Sequence, residues 1–100
     1  MATLDQNLTP LFTVLKDVYV KRNIVPFHVP GHKQGHGVDE EFLEFMGTNP
    51  FKIDVTIFKM VDGLHHPKSC IKEAQELAAD AYGVKKSFFA VNGTSGAIQA

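Results

Sequence analysis

The stretch from Lys86 to Val91, with Ser87-Phe88-Phe89-Ala90 at its centre, reads as a strand apolar on both faces. Strands of that kind belong to parallel sheets covered on both sides. Such a strand needs neighbours to take its backbone N–H and C=O groups, and no second convincing core strand precedes it. After the turn Asn92-Gly93-Thr94-Ser95-Gly96, the residues Ala97-Ile98-Gln99-Ala100 begin a helix. Four residues cannot hold a helix alone, because nucleation costs more than so few bonds return. The expectation is an incomplete α/β unit, the front end of a longer protein rather than a closed domain.

The segments upstream are mostly helical. Thr9 is placed to cap and Pro10 suits a first helical position. Leu11, Val14, Leu15 and Val18 then recur at helical spacing, which predicts a helix over 10–22, with Lys21 and Arg22 at its negative end and Asn23 as a left-handed stop. Residues 24–37 hold two prolines and three glycines and are predicted to be a loop. A short helix follows from an Asp39 cap through Met46, ending at Gly47. Asn49-Pro50 reads as a turn, and Ile53, Val55 and Ile57 alternate with Asp54 and Thr56 as an extended segment does. Asp62-Gly63 is a further turn. The next helix is expected from Pro67 or Lys68 to Tyr82, with Ile71, Ala74, Leu77, Ala78 and Ala81 inward and Gly83 as its stop.

Composition narrows the class. Ten basic residues stand against eleven acidic ones in 100 residues, which leaves no electrostatic footprint for nucleic acid or an acidic membrane. The apolar runs are only a few residues long, so no bilayer span is expected. Asp5, Asn7, Lys16 and Asp17 interrupt any signal-peptide core. A lone Cys70 has no internal disulfide partner, which fits a reducing, cytoplasmic compartment.

Two segments carry chemistry. In the first, a strand is followed by Asn92-Gly93-Thr94-Ser95-Gly96 and a helix start. Free N–H groups at a helix N-terminus attract anions, Gly93 and Gly96 let the backbone come close, and Thr94 and Ser95 add hydroxyls. The lysine and spacing of a Walker loop are absent, as is the G-x-G-x-x-G dinucleotide fingerprint. A phosphorylated cofactor suits the loop; a plain strand–helix turn with a hydroxyl cap is the alternative. In the second segment, His28, His32 and His36 recur every four residues, but Pro30 and Gly31 prevent a helical face. No Cys joins them, so no metal site is expected. A rigid Pro-Gly loop carrying His28, His32 and Lys33 into a polar cleft is the functional reading; hydrogen-bonded loop residues are the alternative. Asp54 and Thr56 are read as turn or cap residues, and Cys70 as a small helix residue.

These blocks together resemble the Orn/Lys/Arg decarboxylase family, pyridoxal-phosphate enzymes of the type I aminotransferase fold. Pro26-Phe27-His28-Val29-Pro30-Gly31-His32-Lys33-Gln34-Gly35 is similar to its P-x-H-x-P-G-H-K-x-G segment, and Ile53-Asp54-Val55-Thr56 to its D-x-T segment. Asp62-Gly63-Leu64-His65-His66-Pro67 with the helix from Ile71 resembles a third block. Ser87 through Ser95 resembles its strand and cofactor-phosphate loop.

The resemblance implies an N-terminal helical arm with the Pro-Gly-His loop over 1–37. It places the start of the large cofactor-binding domain, with an incomplete parallel-rich sheet and flanking helices, over 38–100. It also implies that Gly93, Thr94, Ser95 and Gly96 hold the phosphate of pyridoxal 5'-phosphate, with a backbone N–H serving at Gly96 where some relatives have a hydroxyl. His28, His32 and Lys33 would line the active-site rim or a dimer contact. The family's Schiff-base lysine stands in a Ser-x-His-Lys context that does not occur in these residues, and Lys85 and Lys86 do not replace it. No catalytic residue is therefore expected in this segment, and alone it should be inactive. The implied activity of the complete protein is decarboxylation of arginine, lysine or ornithine by a homodimer or larger assembly. Another reaction on the same fold, or a small non-catalytic phosphate-binding module, is the alternative.

Overall fold

The computed structural model describes residues 2–100. Five short helices dominate it: α1 (Pro10–Thr13), α2 (Glu40–Met46), α3 (Asn49–Ile53), α4 (Cys70–Tyr82) and α5 (Gly93–Gln99). Beyond α1 the chain continues as a π-helical turn over Val14–Tyr19 and a 3₁₀ turn over Val20–Arg22. The predicted 10–22 helix is thus one continuous helical run, and it ends at Asn23 in the left-handed region, φ 53°. Thr9 does not cap it through its side chain; its hydroxyl instead lies 3.1 Å from that of Thr13.

Asp39 caps α2 as the sequence suggests, its carboxylate accepting from the Phe42 N–H at 3.2 Å. Asn49-Pro50 opens α3 rather than making a turn, because proline at the first positions of a helix surrenders no needed donor. Helix α4 starts at Cys70, later than Pro67 or Lys68, and ends at Gly83 in the left-handed region, φ 65°. The apolar face that the spacing predicts for α4 is only partly inward. Cys70, Ile71 and Ala79 are buried and Ala74, Leu77 and Ala78 are half-buried, whereas Ala81 faces solvent.

The sheet expected from the sequence is not formed. Among the described residues there is no strand, and the single β-bridge pairs Phe58 with Asp62. Residues 86–90 form no regular secondary structure, and Phe88 and Phe89 are 75% and 41% exposed. The sequence is apolar enough for a core strand, but a strand exists only where a second one shares its ladder, and none lies alongside. Asp54 has an extended backbone, but residues 54–57 likewise form no strand.

The core is correspondingly small. Tyr19, Val61, Cys70, Ile71 and Ala79 are its buried apolar members. The accessible surface of 7763 Å² exceeds the roughly 5,600 Å² expected for a compact chain of this mass. A radius of gyration of 16.0 Å likewise exceeds the ~13 Å of a closed 100-residue domain. The N-terminal helical run lies against α4. The segment ahead of it is tied to the same helix by Asp80, whose carboxylate accepts from the backbone N–H groups of Thr3 and Leu4 and from the Gln6 amide.

Candidate functional site

Asn92 precedes the first turn of α5 but makes no side-chain cap. The opening N–H groups of that helix therefore project without a side-chain acceptor, as the first turn of any helix does until something binds it. Sequence reasoning starts the helix at Ala97; it starts at Gly93, which moves Gly93, Thr94 and Ser95 from a loop onto the first turn itself. Gly93 has φ +65°, a conformation that disfavours a side chain. Gly96 donates back to the Asn92 carbonyl at 3.4 Å. A Cβ on Gly96 would lie 2.9 Å from the Asn92 Cβ, so glycine is required by space there. Thr94 and Ser95 are exposed. Beside the turn, an open cavity of about 390 Å³ runs between the 88–91 segment and α5, lined by Phe89, Val91, Gly96 and Ala97 among others. Free backbone donors and two hydroxyls at the edge of an apolar cleft suit a phosphate monoester carried on a flat ring.

The histidine loop has a different character. His28 Nδ1 lies 2.7 Å from the Val29 carbonyl, so that nitrogen carries the proton and Nε2 accepts from the Tyr19 hydroxyl at 2.9 Å. Gln34 donates to the same hydroxyl at 3.4 Å. Tyr19 is 1% exposed, and Phe58 lies against both rings, 5.8 Å from Tyr19 and 5.0 Å from His28. Lys33, at φ 51°, turns its ammonium back onto the His28 carbonyl at 3.0 Å.

His32 points to another cluster. Its Nε2 donates to Asp54 Oδ2 at 2.9 Å and its ring stands edge-on to Phe51 at 5.3 Å. Its backbone carbonyl accepts from Gly35 and Gly37, both at 3.0 Å. His28 and Lys33 are thus joined to one another, while His32 joins the loop to the segment after α3. His36 is exposed.

Two carboxylates in the structure exceed the roles their sequence context suggested. Asp54, which the sequence suits to a turn or cap, is the partner of His32. Asp62, which the sequence suits to a turn, is buried and accepts from the N–H groups of Gly63, Lys68, Ser69, Ile71 and Lys72. Burial alone would raise its pKa; the N–H groups of Lys68, Ser69, Gly63 and Lys72 outweigh that and hold the carboxyl far below the usual range. It is the built-in anion at the start of α4, which explains why Lys68 and Ser69 lie outside the helix. No periodicity signals such a cap, because the carboxylate lies eight residues before Cys70. The Cys70 thiol donates to the Val61 carbonyl at 3.0 Å, and burial, then the Asp62 charge, push its pKa up. It is a buried packing residue, not an activated thiol.

Among the described residues no group of three or more His, Cys, Asp or Glu side chains is placed to hold a metal ion. Nor is any helix long and apolar enough to cross a membrane.

Comparison with known proteins settles the class. The profile of the family described as Orn/Lys/Arg decarboxylase, major domain, matches residues 9–100, and the chain belongs to that family. More particularly, it is 54% identical over 98 residues to an arginine decarboxylase of Bacillus anthracis, covering 98% of this chain and 20% of that protein. It is 35% identical over 100 residues to the constitutive ornithine decarboxylase of Escherichia coli, covering 93% of this chain and 14% of that protein. The constitutive lysine decarboxylase of the same organism is also 35% identical, over 96 residues that make up 89% of this chain and 13% of that protein. The chain therefore spans a fifth or less of the length of these relatives. No solved structure matches it.

Proposed function

We propose that this chain is the N-terminal portion of a pyridoxal-phosphate-dependent decarboxylase of a basic amino acid, with arginine as its first candidate substrate. The observation that carries this reading is the 54% identity to an arginine decarboxylase over nearly the whole chain. Ornithine and lysine follow as substrates through the more distant relatives.

The residues present fit the phosphate end of the cofactor. The N–H groups of Gly93, Thr94 and Ser95 and the two hydroxyls would hold the phosphate, while Gly96 keeps the turn tight enough for them to converge. When bound, the cofactor supplies the electron sink for loss of the substrate carboxylate. This chain's own contribution is anchorage and shape. The Asp62 clamp sets the start of α4, and the His32–Asp54 bond fixes the loop over 30–37 against α3. In the complete protein that loop, with His28, His32 and Lys33, forms the rim of the site or of a subunit contact.

The division into an arm over 1–37 and the opening of a large domain over 38–100, a parallel-rich sheet completed by further strands, a homodimeric or larger assembly and a cytoplasmic location all belong to the same proposal. The lysine that carries the cofactor is assigned to a later part of the protein. The test is to express the gene with its whole reading frame, supply pyridoxal phosphate and measure CO₂ release from arginine, lysine and ornithine. Release from one of them, with the 100-residue chain inactive, is the expected result. No release from any of the three overturns the proposal.

A further inference from the structure

The four asparagines of the chain have very different neighbours. Asn7 precedes Leu8, Asn23 precedes Ile24 and Asn49 precedes Pro50; only Asn92 precedes a glycine. That pair also lies at the entrance of α5. Asn92 is exposed and its side chain makes no capping hydrogen bond. Gly93 has nothing within 4 Å of the position a Cβ would take, and its N–H is one of the first-turn donors that no intrahelical carbonyl accepts. The Gly93 backbone nitrogen and the Asn92 side-chain carboxamide carbon, separated by the C, Cα and Cβ of Asn92, are thus both unengaged, with no side chain on Gly93 to crowd their approach.

We propose that Asn92 is a site of spontaneous covalent modification through a five-membered cyclic imide. The Gly93 amide gives its proton to hydroxide and its nitrogen attacks Cγ of Asn92. The new N–Cγ bond forms as the Cγ–Nδ2 bond breaks, and Nδ2 leaves as ammonia after taking a proton from water. Water then adds to either ring carbonyl and opens the ring, leaving an aspartyl or an isoaspartyl residue at position 92. The sum is carboxamide plus water giving carboxylate plus ammonium, with no oxidant or reductant.

The other three sites are protected by their own chemistry. Pro50 has no N–H to attack with, and the side chains of Leu8 and Ile24 crowd the approach. The Asn7 amide also donates to Asp5 Oδ1 at 3.0 Å. The aspartyl product would put a negative charge at the head of α5, where carboxylates cap well. That charge competes for the N–H groups assigned above to the cofactor phosphate, a consequence that rests on the proposed function; the modification itself does not.

The experiment is to incubate the purified full-length protein at mildly alkaline pH, digest it with trypsin and follow the peptides holding the four asparagines of residues 1–100 by liquid chromatography and mass spectrometry. The peptide that begins at Ser87 and holds Asn92 should gain about 1 Da and split into two isomers of equal mass. Its rate should rise with hydroxide concentration, while the peptides holding Asn7, Asn23 and Asn49 remain unchanged. Gly93→Ala should slow the change at least about tenfold, since its methyl group obstructs the attacking nitrogen. Should that variant misfold, the isomer pair and the hydroxide dependence in the unaltered chain still decide the matter. An unchanged mass at position 92, a single product, or an equal rate at Asn7 or Asn23 overturns the proposal. A failed decarboxylation assay would leave each of these readings untouched.

Discussion

His32 Nε2 and Asp54 Oδ2 meet at 2.9 Å across twenty-two residues of chain, joining the Pro-Gly loop to the segment that follows α3. The His32 side chain is 16% exposed and that of Asp54 59%, so water screens half of the pair and the bond is worth about 1 kcal/mol. Alanine at either position should release the loop from α3. In a double-mutant cycle followed by urea denaturation, His32→Ala and Asp54→Ala together should cost clearly less than the sum of the two singles. Strict additivity would mean that the two side chains stabilise the fold independently.

Asp62 holds its charge inside a ring of backbone donors, so its loss leaves the buried Ile71 N–H and several part-buried N–H groups without an acceptor. Asp62→Ala should destabilise the chain by about 3 kcal/mol and Asp62→Asn by less, because the amide oxygen still accepts. Helix content by circular dichroism should fall with Asp62→Ala through loss of the first turn of α4. A variant with unchanged helicity and melting temperature would show that the ring is ornamental.

What the sequence made legible depended on how local the cause was. The helical run over 10–22, α2 and α4 follow from apolar spacing and from caps within a few residues, and they stand where Leu11, Asp39 and Gly83 place them. The start of α4 did not, because Asp62 sets it from eight residues before Cys70. His32–Asp54 was hidden for the same reason: neither residue's neighbours announce the other. Phe88 and Phe89 show the reverse case. Their apolar character favours a strand, but a ladder needs a second strand, and residues 86–90 form none. Gly93 and Gly96 are legible as a tight turn, although the helix begins at Gly93, four residues before Ala97.

Asp80 gives stability a readable pH dependence. The N–H groups of Thr3 and Leu4, against a smaller opposing effect of burial, lower its pKa from 3.8 to about 2. A folded value below the unfolded one means the folded chain prefers the charged carboxylate. Its contribution is therefore complete above the unfolded value and disappears as pH falls through the folded one. Asp80→Asn should lower the melting temperature at neutral pH, and the gap from the unaltered chain should close as pH approaches about 2. A gap that is constant across that range would mean the charge on Asp80 does not tether the N-terminal segment.

The cofactor assignment meets its sharpest test at Ser95 and Gly96, which act differently on one turn. Ser95→Ala removes a hydroxyl while leaving the backbone in place, and loss of one bond to a charged phosphate weakens binding by about tenfold. Gly96→Ala removes no donor, but its Cβ would sit 2.9 Å from the Asn92 Cβ. That clash is with a short, stiff atom, so the first turn of α5 has to move and the N–H groups of Gly93, Thr94 and Ser95 lose their common focus. In the full-length protein, titration with pyridoxal phosphate followed by its absorbance should show weakened affinity for both variants. Gly96→Ala should be the more severe, and Lys21→Ala, on the exposed end of the N-terminal helical run, should bind as the unaltered protein does. Full affinity in Ser95→Ala and Gly96→Ala together would place the phosphate elsewhere and leave the Gly93–Gly96 turn as a plain helix start.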